Sequence, residues 1–122
     1  MADRILYIGW GKVVRGREER ALAVFDESVG FYGRCQQDGR IEKFDVVLLD
    51  LNAGGVAGYI ELHGSPEQLA ALRRDDDFEQ LLADANFIVE DLSVLEGHTE
   101  QGLARRIELY RNAMSKVPQA VG

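Results

Sequence analysis

The sequence predicts an α+β fold of order βαββαβ: a four-stranded antiparallel sheet carrying helices on one face, followed by a C-terminal helix. Three observations predict it. The chain repeats itself, because Tyr7–Val13 runs into the helix opening at Gly16-Arg17-Glu18-Glu19 just as Val56–Leu62 runs into Gly64-Ser65-Pro66-Glu67, with Gly16, Glu19 and Ala23 matching Gly64, Glu67 and Ala71. Each half supplies one more strand after its helix. A tight Asn52-Ala53-Gly54-Gly55 connection joins the halves and makes strands two and three an antiparallel hairpin.

The first strand is expected over Ile5–Val13 and the first helix over Arg17–Gln36. Ala21, Leu22, Phe25, Val29 and Tyr32 are spaced by three and four, one stripe of an amphipathic helix, while Gly30 and Gly33 weaken its last turns. Asp38-Gly39 signals the turn into strand two, Ile41–Leu51. There Phe44, Val46 and Leu48 point one way and Val47, Leu49 and Leu51 the other, so both faces of the strand are apolar. Strand three is expected over Val56–His63, with Val56, Gly58, Ile60 and Leu62 on one face and Ala57, Tyr59, Glu61 and His63 on the other. Ser65, Pro66 and Gln68 form an S-x-x-Q start for helix two, whose Leu69 and Leu72 face inward. Asp75-Asp76-Asp77 interrupts the pattern, so a second helical piece is expected, capped by Asp76 with Glu79 three residues on; Phe78, Leu81, Leu82 and Ala85 form its apolar face. Strand four is expected over Phe87–Leu95, and Gly97-His98-Thr99 leads into a last helix over Glu100–Lys116 with a stripe of Leu103, Ile107, Tyr110 and Met114. The tail from Val117 is expected to be mobile. Residues 1–97 form the repeat-bearing unit, and 98–122 add a helix and tail to the same domain.

A chain of 122 residues, 46% hydrophobic and 29% charged, is a globular domain large enough for one core. A formal net charge of −7 disfavours nucleic acid and anionic membrane surfaces as partners, since both are bound through clustered Lys and Arg. The one cysteine, Cys35, admits no intrachain disulfide; with no signal-peptide pattern and no apolar run of about 20 residues, the expected location is the cytoplasm. Gly9-Trp10-Gly11 lies within a strand and lacks the third glycine of a dinucleotide fingerprint, and no P-loop or nucleophile elbow is present. The Asp75–Asp77 run lacks calcium-loop spacing. No cofactor and no metal is expected.

The doubly apolar strand two needs a cover on each side, and the simplest second cover is the sheet of another copy. With its element order, its Asn-Ala-Gly-Gly hairpin and the run Gly64-Ser65-Pro66-Glu67-Gln68-Leu69-Ala70-Ala71-Leu72 followed by Asp77-Phe78-Glu79, the chain resembles the dimeric α+β barrel superfamily over residues 5–97. That group, ferredoxin-like in fold, includes antibiotic-biosynthesis monooxygenase-like, stress-responsive barrel and muconolactone-isomerase-like proteins. The resemblance implies a homodimer joined through sheet faces, with ligand pockets between sheet and helices.

His63 is the first candidate for chemistry. It shares a strand face with Glu61 and Tyr59, and a base, an orienting carboxylate and a phenol on one face suit proton transfer. The resemblance implies a use for them, since the cofactor-independent oxygenases of that superfamily must activate phenolic substrates. The simpler expectation is a solvated strand end, with Glu61 pairing an arginine across the dimer. Trp10 faces away from Tyr7, and neither Asn52, in the hairpin, nor Asn86, ending helix two, stands at an early-strand position matching the Asn-Trp pairs of that group. Trp10 is expected to serve the core or the dimer interface, Cys35 to be an inert thiol, and His98 to be an exposed turn residue. The reading that follows is a homodimer binding a small, partly apolar organic molecule. Its rivals are a cofactor-independent monooxygenase or isomerase acting on an aromatic or polyketide-like compound, and an assembly or stress-linked protein without catalysis. An open apolar pocket lacking His63 favours binding, one with His63 on its wall favours catalysis, and a filled core favours assembly.

Overall fold

The computed structural model describes residues 2–118; residues 119–122 of the expected mobile tail lie outside it. The elements run β1 (Arg4–Trp10), α1 (Glu18–Gln37), β2 (Lys43–Leu48), β3 (Gly58–Gly64), α2 (Pro66–Arg73), α3 (Asp76–Asn86), β4 (Ser93–His98) and α4 (Glu100–Met114). The sheet has the order β2-β3-β1-β4 and is antiparallel throughout. β3 is thus inserted between β1 and β2, which α1 connects, and the βαβ unit is split as the repeat predicts.

Alternation along the central strands sends Leu6, Ile8, Ile60 and Leu62 into the helix layer, where all four are buried. Leu69 and Leu72 of α2, Phe78 of α3 and Phe31 and Tyr32 of α1 close over them. Tyr32 is central, its ring packing against Phe31, Phe44 and Phe78 with centroids 5.7, 6.1 and 6.4 Å away. The glycines at 30 and 33 do not end α1, which continues to Gln37. Its buried line runs Ala21, Val24, Phe31, Tyr32 and Cys35, so the expected stripe was rotated: Leu22 is 67% exposed.

Helix two starts as expected. Gln68 N–H donates to Ser65 Oγ at 3.1 Å and Ser65 N–H to Gln68 Oε1 at 2.8 Å. The break after α2 is also present, but the cap of α3 is Asp75 rather than Asp76. Its Oδ1 accepts from the N–H groups of Asp77 and Phe78 at 2.8 and 3.1 Å, while Arg40 Nη2 lies 2.8 Å from Oδ2. This register turns Phe78 inward.

β4 begins later than expected. Phe87 ends α3 and is exposed, and residues 88–90 pair with the chain beyond β1 through Val14 N to Ile88 O, Glu90 N to Lys12 O and Gly11 N to Glu90 O, each 2.8 Å. Asp91, with φ 55, interrupts this ladder before β4 proper. β2 ends at Leu48; Leu49 N still donates to Ala57 O at 2.9 Å, and Leu51 belongs to the hairpin loop and not to a strand face. As an edge strand, β2 also leaves Val46 and Leu48 exposed. α4 is anchored at its start, where Thr99 N donates to Asp3 O at 2.9 Å and buried Gly102 lies against that same carbonyl. Its stripe of Leu103, Ile107, Tyr110 and Met114 is exposed in the protomer.

Two outcomes test this packing. The N–H of Phe78, and with it Arg40 and the N–H of Asp77, holds the Asp75 carboxyl below its ordinary range. Asp75→Ala should cost about 1 kcal/mol in urea unfolding at neutral pH. That loss should shrink as pH falls through the depressed folded value, because a carboxylate with a lowered folded pKa stabilises only while ionised. Trp10 lies across Gly58, where an added Cβ would stand 2.8 Å from both the indole and the Val47 carbonyl. Gly58→Ala should therefore destabilise by about 1–3 kcal/mol and shift the emission of Trp10, the chain's single tryptophan.

Candidate functional site

The buried side chains fall into two groups. The larger is built on the sheet, α2 and the second half of α1; the smaller consists of Ala21, Val24 and Ile88 with Ala85 and Val89. Between them lies an open cavity of about 410 Å³, lined from the first group by Ile8, Tyr32 and Ile60 and from the second by all five members. α1 and α3 form its sides, and the sheet with Trp10 forms its floor. The Trp10 and Phe25 rings meet edge to face at 6.2 Å on its wall. Exposed Val13, Leu22 and Leu48 also line it, which places them towards its mouth. The volume lies within the range of small-molecule sites, and the lining is mainly hydrocarbon.

Few polar groups reach this cavity. Ser28 Oγ is engaged with the Val24 carbonyl at 2.8 Å. Glu18 accepts the Gly16 N–H at 3.1 Å, and backbone donors lower its carboxyl pKa, so it is an anion in the lining. Burial, with a smaller contribution from Cys35, pushes the Tyr32 phenol well up. Tyr32 therefore stays neutral and offers a hydroxyl rather than a base. Cys35, 1% exposed, is likewise pushed up, chiefly by burial; it is a protonated packing residue, as its position in the sequence suggested. None of the cavity-lining residues comes from α4, so this helix does not cap the cavity.

The sequence-derived candidates lie elsewhere. Tyr59, Glu61 and His63 alternate with buried Ile60 and Leu62 and stand on the open face of the sheet, and none of the three lines the cavity. The structure brings His63 and Glu61 together, with His63 Nε2 3.4 Å from Glu61 Oε2. Tyr59 instead stacks with Tyr7, their centroids 5.2 Å apart. Asp45 joins the pair, its Oδ2 3.1 Å from His63 Nε2. Sequence reasoning missed Asp45, because an Asn52–Gly55 loop centres the hairpin between Ala53 and Gly54, whereas the observed register sets Asp45 directly opposite Glu61. His98, the last residue of β4, accepts a hydrogen bond from Arg106 Nε at 3.0 Å and is only partly exposed. Desolvation first, then Arg106 and Arg4, lower its pKa. The cavity residues on α1 and α3 were missed because each reads as ordinary core.

No family model matches the sequence, and no curated protein matches it. Solved structures do. A dimeric protein of unknown function and ferredoxin-like fold from Bacteroides fragilis overlays with a TM-score of 0.57 at 10% identity, covering 78% of this chain and 95% of that one. A protein from Chloroflexus aurantiacus, provisionally described as an antibiotic biosynthesis monooxygenase, overlays at 0.52 with 15% identity, covering 80% and 93%. SnoaB, a cofactor-independent oxygenase from Streptomyces nogalater, reaches 0.48 at 14% identity, covering 79% and 90%, too distant to bear on function. The shared element order and sheet show that this chain has a ferredoxin-like fold with an added C-terminal helix.

Proposed function

We propose that the protein is a homodimer in which each chain binds one small, mainly apolar organic molecule in the cavity between the sheet and helices α1 and α3. The observation that carries this is the division of the apolar interior by a cavity of about 410 Å³ lined from both sides. Interiors are close-packed, and leaving apolar walls unpacked forgoes stabilisation that an apolar ligand would supply. Tyr32, neutral and among the few lining residues with a polar group, would orient such a ligand. The same cavity argues against a purely structural role, for which a filled interior is the expected design.

Catalysis is the second reading. It has one observation in its favour, the 3.4 Å contact that pairs His63 with Glu61 as base and orienting carboxylate. It needs a substrate over the open sheet face, because the cavity lies on the other side. Oxygenation, the activity named for the Chloroflexus protein, enters only as an analogy of fold.

The proposed dimer uses the open face, where Tyr7, Val47, Tyr59 and the exposed Leu95 stand beside one another across the strands. The dimeric state of the Bacteroides protein supports this arrangement. A free, buried Cys35 fits a cytoplasmic location; among the described residues no helix is long and apolar enough to cross a membrane.

Trp10 on the cavity wall makes binding directly readable. Titrating the unmodified protein with an apolar fluorescent probe such as anilinonaphthalene sulfonate should change Trp10 emission saturably, at one probe per chain. Ala85→Phe, which fills the cavity from α3, should weaken that binding at least about ten-fold and leave the circular dichroism native. Unchanged binding in the filled variant would remove the cavity from the proposal. Val47→Lys combined with Leu95→Lys should yield a folded monomer in light scattering; a persisting dimer would place the interface elsewhere.

A further inference from the structure

Asp45, Glu61 and His63 hold one ligand atom each within 4.8 Å of one another. The sheet imposes this proximity. The β2–β3 register sets Asp45 directly opposite Glu61, and the two-residue period of β3 puts His63 on the same face. β3 is paired on both sides, so the backbone that presents Glu61 and His63 is well braced.

Two like charges directly opposite each other across a ladder are unfavourable. A cation between them would relieve this repulsion. Lys43 supplies little, since its Nζ stands 3.9 Å from Asp45 and its side chain is 61% exposed.

The two separations from His63 fit a coordination sphere. Ligand atoms about 2.1 Å from a common ion are about 3.0 Å apart at octahedral angles and about 3.4 Å apart at tetrahedral ones. His63 Nε2 stands 3.1 Å from Asp45 Oδ2 and 3.4 Å from Glu61 Oε2. The His63 side chain is 15% exposed and its carboxylate partners are 51% and 30% exposed, so the ring is enclosed while the carboxylates can adjust.

We propose that Asp45, Glu61 and His63 form a binding site for one divalent transition-metal ion on the open face of the sheet. One imidazole and two carboxylates, without a thiolate, suit Zn²⁺, Mn²⁺ or Fe²⁺. Calcium would need more oxygen ligands. Three protein ligands leave a coordination position for water or another small ligand. Spacing along the chain could not show this set, because Asp45 reaches the other two only across the hairpin. The site is independent of the cavity on the other face, but it shares the open face with the proposed dimer contact, since Glu61 stands between Asp45 and Tyr7 across the strands; light scattering on each ligand variant separates loss of the ion from loss of the dimer.

The test is calorimetric titration of the full, tag-free, chelator-washed chain with Zn²⁺, with the visible absorption of bound Co²⁺ as a second reading. One ion per chain is expected. Asp45→Asn, Glu61→Gln and His63→Ala should each weaken binding at least about ten-fold with native circular dichroism. His98→Ala, which removes the other histidine, should leave it unchanged. In the unmodified protein, Mn²⁺ should broaden the imidazole resonances of His63 more than those of His98, a result that needs no variant to fold. Absence of saturable binding, equal binding in the three ligand variants, or broadening at His98 instead of His63 would each overturn the proposal.

Discussion

The alternation of β3 is the constraint on which the other features depend. Inserted between β1 and β2, this strand cannot slip by one residue without exchanging its two faces. Ile60 and Leu62 would then leave the core, while Glu61 and His63 would be driven into it, at the cost of burying polar groups without partners. The same register places Gly58 beneath Trp10 and Asp45 opposite Glu61. The cavity floor and the polar cluster are two sides of one pairing.

The helix layer is packed unevenly. Over the second half of α1, four aromatic rings and the leucines of α2 fill the space above the sheet. Over its first half, α1 carries Ala21 and Val24, and α3 answers with Ala85. These small side chains leave the sheet uncovered there, and the cavity is the result. A cavity in this fold therefore comes from residue size at a few helix positions, with no change in topology.

The protomer also leaves apolar surface without a cover. Val47 and Leu95 flank the tyrosine pair of the open face, and Leu103, Ile107, Tyr110 and Met114 line α4. Patches of this kind mark interaction surfaces on soluble chains. Sheet-against-sheet contact about a two-fold axis is the cover proposed for the open face.

Much of the fold was legible in the sequence. The repeat, the Ser65–Gln68 cap and the alternation around Ile60 are local signals, set by propensity and by the period of each element. Element ends were less legible. Leu49 and Leu51 look like strand residues, but the strand ends at Leu48, with one further ladder bond from Leu49 N to Ala57 O; Phe87 looks like the start of a strand, but it ends α3. Strand ends depend on where a partner stops, which local sequence does not contain. The sequence placed Glu61, His63 and Tyr59 on one face by itself, because strand geometry does so. Only the tertiary structure decided that this face lies opposite the cavity, that Asp45 completes the cluster and Tyr59 turns to Tyr7, and that small residues on two helices leave room for a ligand. Those outcomes arise from contacts between elements far apart in the chain, where cross-strand register and the distance between facing side chains act and sequence spacing does not.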